Sequence, residues 1–155
     1  MTEKKTTIEL KKLNKKFGDI IAVNDVSLKI SENDFFTILG PSGCGKSTIL
    51  RLIAGLEVQD SGSVIINNKD SSFVQANERP VNMVFQSYAL FPHLSVRDNI
   101  EFGLKLKKIS NIDIKTRVEE ILELVKMNGY DFKLPSELSG GQRQRISIAR
   151  AIYSN

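Results

Sequence analysis

The sequence predicts an α/β protein, with a mixed α/β first part built around a strand–glycine loop–helix unit and a mostly helical second part. Three observations carry this reading. The run Gly40–Thr48, GPSGCGKST, meets every constrained position of G-x-x-x-x-G-K-[ST]. Before it stands the apolar, β-prone Phe35-Phe36-Thr37-Ile38-Leu39, and after it a stretch to Ala54 that is apolar at helical spacing and stopped by Gly55. From Leu90 onward the strand-like runs give way to helical patterns.

Taken in order, Thr6–Leu13 alternates as a half-exposed strand, and Lys15–Asp19 reads as a turn bearing one aromatic, Phe17. A second strand spans about Val23–Ile30, with Val26, Leu28 and Ile30 on one face, and the turn Ser31–Asp34 leads into the phosphate-loop strand. After the helix, Asp60–Ser63 turns the chain into Val64–Ile66, and Asn67–Lys69 turns it again. Asp70–Pro80 is polar without period and reads as loop, while Val81–Phe85 reads as a buried strand ending at Gln86. Ser95-Val96-Arg97-Asp98 has the form of a capping box opening a helix. Ile114–Met127 is amphipathic through Ile114, Val118, Ile121, Leu122 and Val125, and a last helix covers about Gly141–Tyr153.

The loop has a direct chemical logic. Its glycines let consecutive backbone N–H groups face an anion, and the following helix adds its unpaired N-terminal N–H groups and the positive end of its dipole. Pro41 stiffens the entrance; Lys46 supplies a point charge for the β- and γ-phosphates, and the Ser47 hydroxyl a ligand for Mg²⁺.

Composition narrows the setting. With 155 residues, 41% hydrophobic and 26% charged, the chain suits one ordinary globular domain. No apolar run approaches the roughly 20 residues that span a bilayer, and the charged N-terminus lacks the apolar core of a signal peptide, so the expectation is a cytoplasmic protein. The single cysteine, Cys44, excludes an internal disulfide and agrees with a reducing compartment. A net charge of +4 from scattered lysines, without a basic block and interleaved aromatics, favours a solvated surface over nucleic acid as partner.

Leu138-Ser139-Gly140-Gly141-Gln142 opens the last helix. Ser139 serves as an N-cap, whereas two glycines in a first turn weaken it by up to about 1 kcal/mol each. Their use is close approach of backbone N–H groups to an anion, a second phosphate-binding element.

GPSGCGKST, LSGGQ followed by RQRISIAR, and Val84-Phe85-Gln86 between them together resemble the ATP-binding subunits of ABC transporters, from about Ile8 to the last residue. The run from Glu78 to His93 further resembles bacterial importer ATPases, most of all those serving spermidine and putrescine uptake. The resemblance implies a P-loop NTPase fold of ABC type with a helical subdomain. It divides the chain into a core at 1–88, a helical subdomain at 89–138 and the signature helix at 139–155. ATP and Mg²⁺ are the implied cofactors, with Gly40, Pro41, Ser42, Gly43, Cys44, Gly45, Lys46, Ser47 and Thr48 at the phosphates. Phe17 matches the aromatic that stacks on adenine, or else is a turn residue covering the core. Gln86 matches a glutamine contacting Mg²⁺ and the attacking water, or else simply ends its strand. Ser139, Gly140, Gly141 and Gln142 match the signature that closes over ATP bound to a second ATPase subunit.

Further partners implied are transmembrane permease subunits, received near Ser87–Asn99, and, indirectly, an extracytoplasmic solute-binding protein, with the chain peripheral on the cytoplasmic face. Family members continue into a strand ending in Asp-Glu and a later histidine; here Asn155 comes first, so no catalytic residue is assigned and the C-terminal part of the sheet is expected to be missing. Cys44 reads as a small loop residue and His93 as a structural or surface one, not as that histidine. The chain alone is expected to be inactive and to associate through an uncovered strand edge. Two alternatives stand beside a transport ATPase: a nonhydrolytic nucleotide-binding fragment, and a soluble ATPase of the same class.

Overall fold

The computed structural model describes residues 5–106 and 110–153. The chain forms two compact units, Met1–Val81 and Asn82–Asn155.

In the first unit, strands β1 (Thr6–Phe17) and β2 (Ile20–Ser31) form an antiparallel hairpin with Phe17 opposite Ile20. Both strands run longer than the sequence predicts. Lys15 and Lys16 find cross-strand partners in Val23 and Ile21, so the ladder continues until Gly18, which adopts φ 57 and turns the chain. Strand β3 (Ser61–Ile66) pairs with the other edge of β1, and the two-residue β4 (Lys69–Asp70) returns through Asn67 and Asn68, both left-handed, giving the order β2-β1-β3-β4. Leu10 and Leu13 are both buried although strict alternation would put them on opposite faces. A bulge reconciles them: Lys12 takes φ 46 and the register slips between Leu10 and Leu13.

Helix α1 (Lys46–Ala54) contributes Ile49, Leu52 and Ile53 to a core shared with Leu10, Leu13, Val23, Val64 and Ile66. Gly55 ends it in left-handed backbone, as the glycine stop predicts. The last carbonyls are satisfied by a residue of the polar stretch that reads as loop. Buried Arg79 donates to Leu52 O at 2.7 Å and Ile53 O at 2.9 Å, and also to Val74 O and Ser72 O. A helix end buried beneath the sheet requires such a donor.

Two expected strands do not form. Neither Phe35–Leu39 nor Val81–Phe85 belongs to a sheet. A strand exists only where a neighbour completes its backbone hydrogen bonds, and among the described residues none pairs with either run. Phe35 is 99% exposed and Leu39 86%.

The second unit is helical: α2 (Val96–Leu106), α3 (Asn111–Leu124) and α4 (Gly140–Tyr153). They close on Val96, Ile100, Leu104, Val118, Ile121, Leu122, Ile146 and Ala149. Ser95 caps α2 as its sequence predicts, accepting from the Asp98 N–H at 3.1 Å. Helix α3 is shifted toward the N-terminus of the expected Ile114–Met127. Ser110 caps it through the Asp113 N–H, and Lys126, at φ 56, breaks the helical path before Met127. Fully buried Asn99 accepts from the Phe91 N–H and donates to carbonyls of Phe91, Leu94 and Ser95, fixing the segment that leads into α2.

Exposed phenyl and leucyl groups on unpaired backbone favour association. Sedimentation velocity on the 155-residue chain is expected to show concentration-dependent oligomers, and Phe35→Lys with Leu39→Lys to shift them toward monomer. Unchanged sedimentation in the double variant would count against that origin.

Candidate functional site

The phosphate loop occupies residues 40–45, and α1 starts at once at Lys46. Its geometry depends on Gly45, held at φ 87 with its α-carbon against the backbone of β2: a side chain there would run into the carbonyl oxygen of Ala22. Gly43 is also left-handed, at φ 83, but faces open space. No side chain caps α1, and no acidic residue stands in its first turn. Its leading N–H groups and the positive end of its dipole therefore face solvent beside an exposed loop, the arrangement that receives an anion.

Lys46 braces the loop. Its ammonium donates to Gly40 O at 2.7 Å and Pro41 O at 2.6 Å, with Cys44 Sγ at 3.3 Å as third acceptor. An ammonium has three donors, and a thiol is the weakest of these acceptors. A phosphate oxygen arriving at Lys46 has only the sulfur contact to displace while both carbonyl bonds hold the loop. Ser47 is exposed in the first turn, and the loop residues Pro41, Ser42, Gly43 and Cys44 are exposed as well. A cavity of about 420 Å³ adjoins this place, lined by Lys46, Ser47, Leu50 and Ile53 of α1 together with Phe36 and Leu28.

Phe17 stands at the same end of the β hairpin, opposite Ile20 and so two residues from the Ala22 that Gly45 abuts. Its ring is 44% exposed, with the Lys15 ammonium 5.1 Å from its centroid. That ammonium is fixed by Glu57 at 2.9 Å and Val58 O at 2.8 Å, and the Glu57 hydrogen bond holds the lysine pKa above its ordinary value. The ring is thus anchored and open, as stacking on a planar base requires.

The remaining predicted residues lie in the second unit. Gln86 is exposed in a turn closed by the Tyr88 N–H on Phe85 O at 2.9 Å; it does not end a strand, since none forms there. Ser139 caps α4: its Oγ accepts from the Gln142 N–H at 3.3 Å, while its own N–H donates to Gln142 Oε1 at 2.8 Å. This is a reciprocal capping box, and S-x-x-Q was legible in the sequence, where only Ser139 was given a capping role. The glycines between them have no such reason. A Cβ on Gly141 would meet nothing within 4 Å, and one on Gly140 only the Tyr88 hydroxyl at 3.6 Å.

Among the described residues no three His, Cys, Asp or Glu side chains converge to hold a metal. Ser47 and Gln86 each carry a neutral side-chain oxygen, a type of ligand that Mg²⁺ accepts. No described helix is long and apolar enough to cross a membrane.

Comparison with known proteins bears on the family and the fold. The family model described as "ABC transporter" matches residues 23–155. A spermidine/putrescine import ATP-binding protein, PotA, of Pasteurella multocida is 50% identical over 152 residues, covering 98% of this chain and 41% of the relative. PotA of Haemophilus ducreyi is 51% identical over 152 residues, with the same coverage of 98% and 41%. The chain thus spans about two fifths of the length of these curated relatives. Among solved structures, the dimeric bacterial ABC transporter cassette MJ0796 superposes with a TM-score of 0.86 at 34% identity, over 96% of this chain and 70% of that one. A dimer of the same cassette bound to ADP and Pi gives a TM-score of 0.84 at 34% identity and the same coverage, 96% and 70%.

The two kinds of glycine separate by mutation. Gly45→Ala, forced against the Ala22 carbonyl, is expected to lower thermal stability and abolish nucleotide-induced stabilisation. Gly141→Ala meets no obstacle and should stabilise α4 by about 0.5–1 kcal/mol in urea unfolding. A destabilised Gly141→Ala would show that the chain's own fold requires that glycine.

Proposed function

This chain belongs to the ABC transporter family, and from that premise we propose that it is the ATP-binding part of a subunit that energises import of a small solute across a membrane. The observation that carries the reading is the uncapped start of α1 behind a glycine loop braced by Lys46. The N–H groups of Gly43, Gly45, Lys46, Ser47 and Thr48 would receive the phosphates of Mg-ATP and Phe17 its adenine; the Ser47 hydroxyl would hold Mg²⁺, which would supply positive charge at the phosphates, and Gln86 is assigned to the same metal. Lys46 keeps the loop closed around the anion and lowers the cost of bringing four negative oxygens together.

The glycine pair of α4 supports a second copy as partner. Removing both side chains weakens a helix start that its own unit does not require to be bare, so the close approach is intended for something outside it. We assign Ser139–Gln142 to the nucleotide held by that partner. Binding would then draw two subunits together and hydrolysis release them, driving permease subunits between their states. The carboxylate and histidine that activate water in the family are assigned to the further length that the curated relatives possess. Their names make polyamines the solute class to test first. The chain itself is placed at the cytoplasmic face, docked through the region Ser87–Asn99.

Calorimetric titration of the protein with Mg-ATP tests the reading. Lys46→Ala is expected to weaken binding at least about tenfold, since it deletes the charge at the phosphates. Cys44→Ala should stay within about threefold of the parent, because it removes only the weak acceptor. Equal binding by Lys46→Ala would overturn the site. Reconstituted with its permease, the protein should drive ATP-dependent spermidine uptake; binding without turnover in that complex would favour the nonhydrolytic alternative.

A further inference from the structure

The turn that carries Gln86 is bent against the preference of its own residues. Tyr88 and Ala89 both hold left-handed backbone, at φ 65 and φ 49, where a Cβ is disfavoured and neither residue is a glycine. What holds them comes from the far half of α4. Buried Ser147 donates its hydroxyl to Tyr88 O at 2.8 Å. Arg150 donates through Nη1 to Ala89 O at 2.7 Å, and its Nη2 reaches Tyr88 O at 3.5 Å. The same guanidinium lies 5.5 Å from the centre of the Phe91 ring, just beyond the turn.

We propose that Ser147 and Arg150 are positioning residues: they latch the strained Tyr88–Ala89 turn onto α4 and thereby set where Gln86 stands. The helix that opens with Ser139–Gln142 and the turn that presents Gln86 then move as one piece. This inference rests on the role given to Gln86 above. A planar guanidinium aims its donors at adjacent carbonyls in a fixed fork, whereas a lysine ammonium on its flexible stem holds them less rigidly. Released from the latch, the turn falls to backbone that alanine prefers, and Gln86 is carried away from the position in which it serves Mg²⁺ and water.

The test compares the parent, Arg150→Ala, Arg150→Lys, Ala89→Gly and the Arg150→Ala/Ala89→Gly double variant. Glycine adopts φ near 49° without penalty, and the substitution leaves the Ala89 carbonyl in place. Arg150→Ala is expected to raise about tenfold the Mg²⁺ concentration that half-saturates binding of a fluorescent ATP analogue, with the affinity at saturating Mg²⁺ within about twofold of the parent. Arg150→Lys should lie between. The double variant should recover at least about half of the lost Mg²⁺ response. No recovery, or a loss of affinity at saturating Mg²⁺ equal to the loss of Mg²⁺ response, would overturn the latch in favour of a general packing role.

A nucleotide-free arm separates this inference from the functional reading. Ala89→Gly should raise the thermal midpoint of the parent more than that of Arg150→Ala, because only a latched turn carries strain to relieve. Equal shifts in the two backgrounds overturn the latch. A parent that fails to bind ATP but shows unequal shifts overturns the functional reading alone and supports the latch.

Discussion

The close approach of Gly45 to the carbonyl of Ala22 is the constraint on which the candidate site depends. With no side chain there, α1 begins directly against β2, and its unpaired N–H groups open beside the loop rather than into the sheet. Lys46 follows as the first helical residue, and its ammonium ties the carbonyls of Gly40 and Pro41 across the loop. The far end of α1 is fixed in turn by buried Arg79, which donates to the carbonyls of Leu52 and Ile53. One short helix is therefore held by a missing side chain at its start and a planar cation at its end.

The same accounting of backbone groups explains where sheet forms and where it does not. The hairpin β1–β2 and its neighbour β3 complete each other's hydrogen bonds and bury Leu10, Leu13, Val23, Val64 and Ile66 beneath α1. Phe35–Leu39 is as β-prone in composition as β3, yet it stays outside the sheet with Phe35 and Leu39 in solvent. Propensity without a partner strand does not make a strand.

Helix α4 opens on a motif of which its own unit explains only a part. Ser139 and Gln142 bond reciprocally and start the helix, a purely local stabilisation. Gly140 and Gly141 work against that start and meet almost nothing in their own unit. The proposed approach of a second copy rests on that mismatch between a stabilising cap and the destabilising glycines inside it.

By itself the sequence determined whatever is encoded in short spacing. The phosphate loop, the caps at Ser95 and Ser139, the Gly55 stop and the amphipathic period of α3 are local patterns, because helix caps, glycine backbone and nests of N–H groups are satisfied within a few residues. The S-x-x-Q role of Gln142 was equally local and equally readable. Tertiary structure alone decided the rest. The bulge at Lys12, the length of β1, the unpaired state of Phe35–Leu39 and Val81–Phe85, the reach of Arg79 to the end of α1, and the bonds from Ser147 and Arg150 to the Tyr88–Ala89 turn depend on segments distant in sequence. A hydrogen bond across fifty or more residues leaves no periodic trace in the chain, so only the packed fold shows which donor finds which carbonyl.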